Sequence, residues 1–374
     1  MPNLFEKYII NNNIIINEFE WNLIINNYSQ DFIISELSNA IELYDIKLPY
    51  KTYTNDNFLN DFNELIALDT NKIICEGEWV SKFNYKYPFI NKYINTSNVG
   101  NIVSDYFHQK ERWKCDATGY PSPERTWYNE KFRLTLFKAL FSLKVKEINP
   151  TIFRNIIGLR KYIAAQFRPS AAKAIYDYFK SETVLDFSMG WGDRIARAFA
   201  SNYVKKYVGI DPNLNLFDGY YKQINTYESI KKTNKEFSFI VGCAEDENIK
   251  HNELFDLIFT LPPYYDKEKY DMSQNQSYVK YKSFDSWLNN FLYKTINIRT
   301  QSLKSGGFLV INISDIYTRK KLYNICDNMN DYIKNTKEFE YVGAIGLRMP
   351  KRPMSISFEI NGVYCEPIWI WQKK

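Results

Sequence analysis

Residues 255–270 read FDLIFTLPPYYDKEKY. A mostly apolar run gives way at Leu261 to two prolines, two tyrosines and a series of charges. Phe255 to Thr260 has the length and composition of a buried strand. Pro262 and Pro263 end it, because proline has no N–H to give a sheet ladder, while their carbonyls can still accept. An accepting carbonyl beside an aromatic ring can hold a flat group that carries an exocyclic amine. Tyr264 is then placed to stack on a base; a rigid strand end with both tyrosines packed in a core is the other reading.

The surrounding rhythm says which kind of sheet this strand joins. From about Lys161, short apolar runs alternate with helical patterns: TVLDF before DRIARAFASNY, KYVGID before LNLFDGYYKQINTYESI, then FSFIVG, FDLIFT and, after a long helical stretch, GGFLVINIS. FEYVGAIG and VYCEPIWIW close the chain with no helical pattern joining them. Five strands separated by helices predict an α/β fold with a doubly wound, mostly parallel sheet, and the last two predict an antiparallel hairpin at one edge. In such sheets ligands bind at the carboxyl ends of the strands, where the strand order reverses.

The unusual residues fall at those ends. After TVLDF comes SMGWGDR, placing Asp186, Gly190 and Gly192 in a D-x-x-x-G-x-G turn, where glycine lets the backbone approach a ligand closely. Asp211 ends the next strand 25 residues on, where a carboxylate can accept from ribose hydroxyls. A three-glycine dinucleotide motif is missing, which favours a nucleoside without a pyrophosphate. Ala244, Glu245 or Asp246, after the third strand, are candidates to meet its adenine. Phe167, Arg168 and Pro169 lead into the helix before the first strand, beside the same pocket. An ordinary strand-to-helix turn, an acidic loop and a helix cap are the respective structural alternatives.

The order FRPSAAKAIYDYF, VLDFSMGWGDR, YVGIDPN, FDLIFTLPPYYD, GGFLVINISD and EPIWIW resembles amino-group methyltransferases dependent on S-adenosylmethionine, notably the DNA methylases carried by phages and large DNA viruses. Their signature is Asp, Asn or Ser followed by Pro-Pro-Tyr or Pro-Pro-Phe. The resemblance covers about residues 161–374 and implies a Rossmann-like sheet of seven strands. It implies that Asp186, Gly190 and Gly192 cradle the methionine part of the cofactor and that Asp211 holds its ribose. Phe167 and Pro169 would lie on its outer side. Pro262, Pro263 and Tyr264 would hold a flipped base. Methyl transfer from a sulfonium needs no metal and relies on alignment. Leu261 departs from the signature, and losing one acceptor of this kind costs about 3 kcal/mol, roughly a hundredfold in rate. Thr260 or Asp266 could replace it; otherwise the pocket binds without catalysing.

Composition narrows the alternatives. In 374 residues there are five separated cysteines and two histidines, His108 and His251, so neither a structural zinc site, a disulfide framework nor a Ser/His/Asp triad is expected. No apolar run approaches the ~18 residues of a membrane span, and the expectation is a soluble protein of the cytoplasm or host cell interior. Charge is uneven: residues 1–100 carry 7 Lys/Arg against 13 Asp/Glu, residues 101–174 carry 14 against 6, and the rest 27 against 24. Residues 1–100 read as an acidic, mostly helical accessory region, 101–160 as a basic aromatic helical segment, and 161–374 as the methyltransferase domain. In the basic segment Arg112, Lys114, Arg125, Lys131 and Arg133 interleave with Trp113 and Trp127, which suits phosphate contact and base stacking; a solvated helical face over an aromatic core is the alternative. The expected activity is methylation of adenine N6 in DNA. RNA adenine N6 methylation, or a non-catalytic nucleic-acid-binding subunit of the same fold, are the alternatives, and oligomeric state is not legible.

Overall fold

The computed structural model describes residues 2–95, 97–247, 254–270, 273–349 and 362–374. They form two compact units, each built from two stretches of chain: residues up to Thr52 with Gln109–Ala164, and Tyr53–His108 with Ala165–Lys374. The three-part division expected from sequence is therefore not the one the chain adopts.

The smaller unit is helical, with helices at Glu18–Asn27, Gln30–Leu43, Pro123–Tyr128, Glu130–Ser142 and Pro150–Arg160. Local chemistry explains their starts. Ser29, Asn129 and Asn149 each occupy an N-cap and accept a backbone N–H from inside the helix, satisfying donors that the first turn leaves orphaned. Apolar residues at helical spacing then meet in one core, in which Trp21, Leu37, Trp113, Trp127, Phe137 and Phe153 are buried.

The larger unit is organised by a ten-stranded sheet. Its strands are β1 (Ile74–Glu76), β2 (Trp79–Val80), β3 (Lys92–Ile94), β4 (Thr183–Asp186), β5 (Lys206–Asp211), β6 (Glu236–Val241), β7 (Phe255–Thr260), β8 (Leu303–Asn312), β9 (Phe339–Arg348) and β10 (Val363–Lys373). The order across the sheet is β1-β3-β9-β10-β8-β7-β4-β5-β6, with β2 beside β10. From β8 to β6 all neighbours are parallel, and β10 runs antiparallel to both β8 and β9. The seven strands expected from sequence are all present. Their antiparallel pair, however, is not an edge: β9 pairs on its other side with β3, and β3 with β1. These added strands are only two or three residues long. Strands this short carry too little periodicity to be read from sequence.

Burial on both faces explains why the parallel strands read as apolar runs. Val184, Leu185, Leu257, Ile258, Phe259, Leu309, Val310 and Ile311 are fully buried. Residues 53–108 are tied to this unit by polar contacts as well as strands. Asp61 accepts from the backbone N–H groups of Gly100, Ile102 and Val103, and Lys173 donates to the Leu68 carbonyl at 2.7 Å. The chain runs outward from β4 through β5 to β6 and returns to β7 on the far side of β4. The order thus reverses between β4 and β7, and the loops that follow these two strands open at the same end.

Candidate active site

Asp186, the last residue of β4, is fully buried and saturated by protein partners. Its carboxylate accepts from Arg194 Nε at 2.5 Å, Tyr207 Oη at 2.8 Å, Ser188 N at 3.1 Å and Thr260 Oγ1 at 3.1 Å. Arg194 also donates to the Ser188 carbonyl, so the guanidinium clamps the turn from within. The adjoining carboxylate holds Arg194 firmly charged despite burial. Asp186 therefore acts as the anchor of the glycine loop and of the end of β7 together.

Gly190 and Gly192 have φ of +61° and +75°, a region that L side chains rarely adopt. They differ in surroundings. A Cβ at Gly192 would lie 2.3 Å from Gln223 Oε1 and 2.6 Å from His108 Nε2, so glycine is required there by packing. At Gly190 the nearest atom would be 3.8 Å away, which leaves a cradle open beside the loop. His108 is buried, and burial lowers its pKa to about 4, so it stays neutral; His251 lies outside the described residues.

Asp211 ends β5 beside this cradle. One oxygen accepts from Gly190 N at 3.0 Å and the other from Asn213 N at 2.9 Å. Each oxygen has room for about one more donor. Burial raises its pKa to about 6, against the pull of those two N–H groups. An open cradle at Gly190 next to a carboxylate with acceptor capacity fits a nucleoside diol with a flexible amino-acid tail, which is the shape of S-adenosylmethionine. Glu245, after β6, is buried and accepts from Lys280 Nζ at 2.6 Å and Tyr281 Oη at 3.1 Å. Phe167 packs edge-on against Phe259 of β7, and Pro169 is the first residue of the helix Pro169–Phe179.

The loop after β7 is built differently. Leu261 and Pro263 are half-buried and Pro262 buried. Tyr265 has φ of +50°, a conformation costing a non-glycine residue on the order of 1–3 kcal/mol. It is held there by its hydroxyl, which donates to the Lys282 carbonyl at 2.7 Å, and by packing among Phe284, Trp287 and Tyr323. This turn aims Tyr264 away from Tyr265. The Tyr264 hydroxyl donates to Glu366 Oε1 on β10, and Lys267 Nζ lies 4.9 Å from the ring centroid. Burial beside Glu366 keeps the phenol protonated far above its usual range.

Much of the basic aromatic segment is buried, contrary to the nucleic-acid face expected from sequence. Arg133 is fully buried, donating to Ser38 Oγ, the Trp127 carbonyl and Glu42, and Arg112 is buried with Nη1 on the Ala164 carbonyl at 2.8 Å. Trp113 and Trp127 are core residues, the latter donating to the Ile46 carbonyl. Neither these arginines nor these indoles face solvent, because an amphipathic helix and a basic aromatic stripe share the same spacing. Lys114 pairs with Glu111, Arg125 pairs with Asp116, and Lys131 is exposed. The folded unit also mixes the acidic and basic stretches: it holds 15 Lys/Arg against 12 Asp/Glu, and the other unit 33 against 31. The charge asymmetry along the chain is thus largely cancelled in space.

Residues 255–374, from β7 to the end of β10, match the family model N6_N4_Mtase, described as DNA methylase. This stretch is that of an amino-group DNA methyltransferase. Such enzymes take their methyl group from S-adenosylmethionine, the ligand that the Gly190 cradle and Asp211 fit. No curated protein matches the chain. Solved structures that are similar to it include an S-adenosylmethionine-dependent methyltransferase from Clostridium acetobutylicum, 12% identical, covering 60% of this chain and 96% of that one at a TM-score of 0.36. An rRNA methylase from Streptococcus thermophilus is 16% identical, covering 56% and 99% at 0.32. The N-methyltransferase NodS from Bradyrhizobium japonicum is 12% identical, covering 52% and 86% at 0.31. Likenesses this distant say nothing about substrate.

Proposed function

We propose that this methyltransferase methylates the exocyclic amine of a nucleic-acid base, adenine N6 in DNA. The observation that carries the reading is the shared anchor of two loops. Asp186 holds the glycine loop through Ser188 and Arg194, and the end of β7 through Thr260, one residue before the Leu-Pro-Pro-Tyr turn. A nucleoside cradle and an aromatic clamp are thereby referenced to one buried carboxylate. For a transfer whose rate depends on alignment at close range, that rigidity is what the protein must supply.

In this reading Asp211 receives the ribose hydroxyls, and Gly190 with Gly192 lets the backbone approach the amino-acid part. One carbonyl of the Pro262–Pro263 pair accepts an amine hydrogen. The Tyr264 ring, fixed at its hydroxyl by Glu366, offers a face for stacking. A base reaches such a pocket only out of its helical stack, at a cost of a few kcal/mol. Phosphate contact is assigned to the hairpin Ile316–Thr318 and Lys321–Tyr323, which follows β8 at the same end of the sheet. Its tip carries Arg319, Lys320 and Lys321, all exposed, and Arg319 reaches Asp266 of the Pro-Pro-Tyr-Tyr loop at 3.3 Å. Lys131 and Arg125 remain candidates on the helical unit.

The description of the matched family favours DNA over RNA, and a nucleic-acid substrate places the enzyme inside the cell or host. Among the described residues no helix is long and apolar enough to cross a membrane. A second reading, a non-catalytic binding subunit, rests on Leu261. Incubation with tritiated S-adenosylmethionine and unmethylated duplex DNA, single-stranded DNA or RNA separates the readings. Label in DNA adenine is expected. Label in RNA alone moves the substrate class, and cofactor binding with no transfer to any of them leaves only the binding subunit.

A further inference from the structure

Leu261 offers no side-chain acceptor where the amine of a clamped base must be held, and the two neighbours that could replace it are turned elsewhere. The Thr260 hydroxyl donates to Asp186, and Asp266 faces Arg319. Another carboxylate at this end of the sheet is tied directly to the Pro-Pro-Tyr-Tyr loop. Glu366 enters on β10, whose Ile368 lies opposite Asn312 at the carboxyl end of β8. That register puts Glu366 two residues beyond the end of the parallel strands, on the side where the loops gather. It is half-buried, and its Oε1 takes the Tyr264 hydroxyl. Asn312 is almost fully buried and donates to the Pro367 carbonyl at 2.9 Å, which fixes the backbone next to Glu366.

We infer that Glu366 is a catalytic residue, the acceptor of the target amine in place of a side chain at position 261. The inference rests on the functional reading above. In the transfer, the base nitrogen bonds to the donor methyl carbon as the carbon–sulfur bond breaks and its electron pair stays on sulfur. The nitrogen then carries one proton too many, which passes to the Glu366 carboxylate and from there to water. Around Glu366 stand Lys267, Glu268, Tyr264 and Asn312, and Cys326 lies near Tyr264. Burial raises the Glu366 carboxyl above its ordinary range, with Glu268 adding to the rise and Lys267, the Tyr264 hydroxyl and Asn312 opposing it. A carboxylate so placed is a better proton acceptor than one in water.

Two measurements test this. The first needs no turnover: affinity for a short oligo-deoxyadenosine strand is compared with that for the same strand carrying 2′-deoxynebularine, which lacks the amine. The wild type should prefer adenine by about tenfold, Glu366→Ala should lose most of the preference, and Glu366→Gln, which still accepts, should keep it. No preference in the wild type, or an undiminished one in Glu366→Ala, overturns the inference. The second is transfer. Glu366→Gln, with cofactor binding by calorimetry confirming its fold, should be roughly a hundredfold slower and should lose the acid limb of the wild-type pH profile. Adding Leu261→Asp to it should restore at least about tenfold. Transfer by Glu366→Gln within about threefold of wild type also overturns the inference. A wild type that methylates no nucleic acid defeats the functional reading instead, and the affinity comparison still decides Glu366.

Discussion

The loops that leave β4 and β7 open at the same end of one sheet yet are held by opposite means. The first is locked by charge and hydrogen bonds. Asp186, Arg194, Tyr207 and Ser188 form a buried network, and Tyr220 adds a hydroxyl on the Gly190 carbonyl at 2.5 Å. The second is held by rings and a strained turn, with Tyr265 wedged in aromatic packing and Tyr264 tied by a single hydroxyl. A ligand common to a whole class of reactions suits a site that is fixed in advance. On the proposed function, a base that must leave its stack and enter suits a clamp with one adjustable tether.

The contrast can be broken at either side. Arg194→Leu should do most damage, since it leaves Asp186 buried without its cation. A loss of about 3–5 kcal/mol is expected in urea unfolding, and a loss under about 1 kcal/mol would mean that Tyr207 and Thr260 suffice. Tyr264→Ala should slow transfer roughly a hundredfold while leaving cofactor affinity, read by calorimetry, within about twofold. The reverse pattern would exchange the roles given to the two loops.

Asp211→Ala should weaken the cofactor by about tenfold with little effect on nucleic-acid affinity. Because burial raises the Asp211 pKa to about 6, the wild type should bind cofactor most tightly above that pH. Affinity should fall as pH drops through it, when protonation removes acceptor capacity, and Asp211→Asn should flatten that dependence. The smallest effect is expected at the hairpin tip. Lys320→Ala with Lys321→Ala should weaken nucleic-acid binding a few-fold at low salt and reduce the salt slope by about two. An unchanged slope would move phosphate contact to another face.

Much of this site was legible because its signals are local. Apolar runs marked β4 to β8, the glycines marked a turn that needs positive φ, and adjacent prolines marked where β7 must stop. Arg112 and Arg133 were misread for the converse reason: a cation in a basic helix looks the same in sequence whether it faces water or a buried carbonyl. Glu366 carries only a faint signal in sequence, an acid before a proline in an apolar strand, since nothing nearby in the chain shows what it faces.

The sequence by itself determined the alternating strands and helices, the glycine turn after β4 and the Pro-Pro-Tyr-Tyr turn after β7, because backbone propensity and hydrophobic period act over a few residues. Only the tertiary structure decided that β1 to β3 extend the sheet, that the acidic and basic stretches are each divided between the two units, and that Glu366 meets Tyr264. Those outcomes depend on which distant partners satisfy each buried polar group, and that choice is made only when the elements pack.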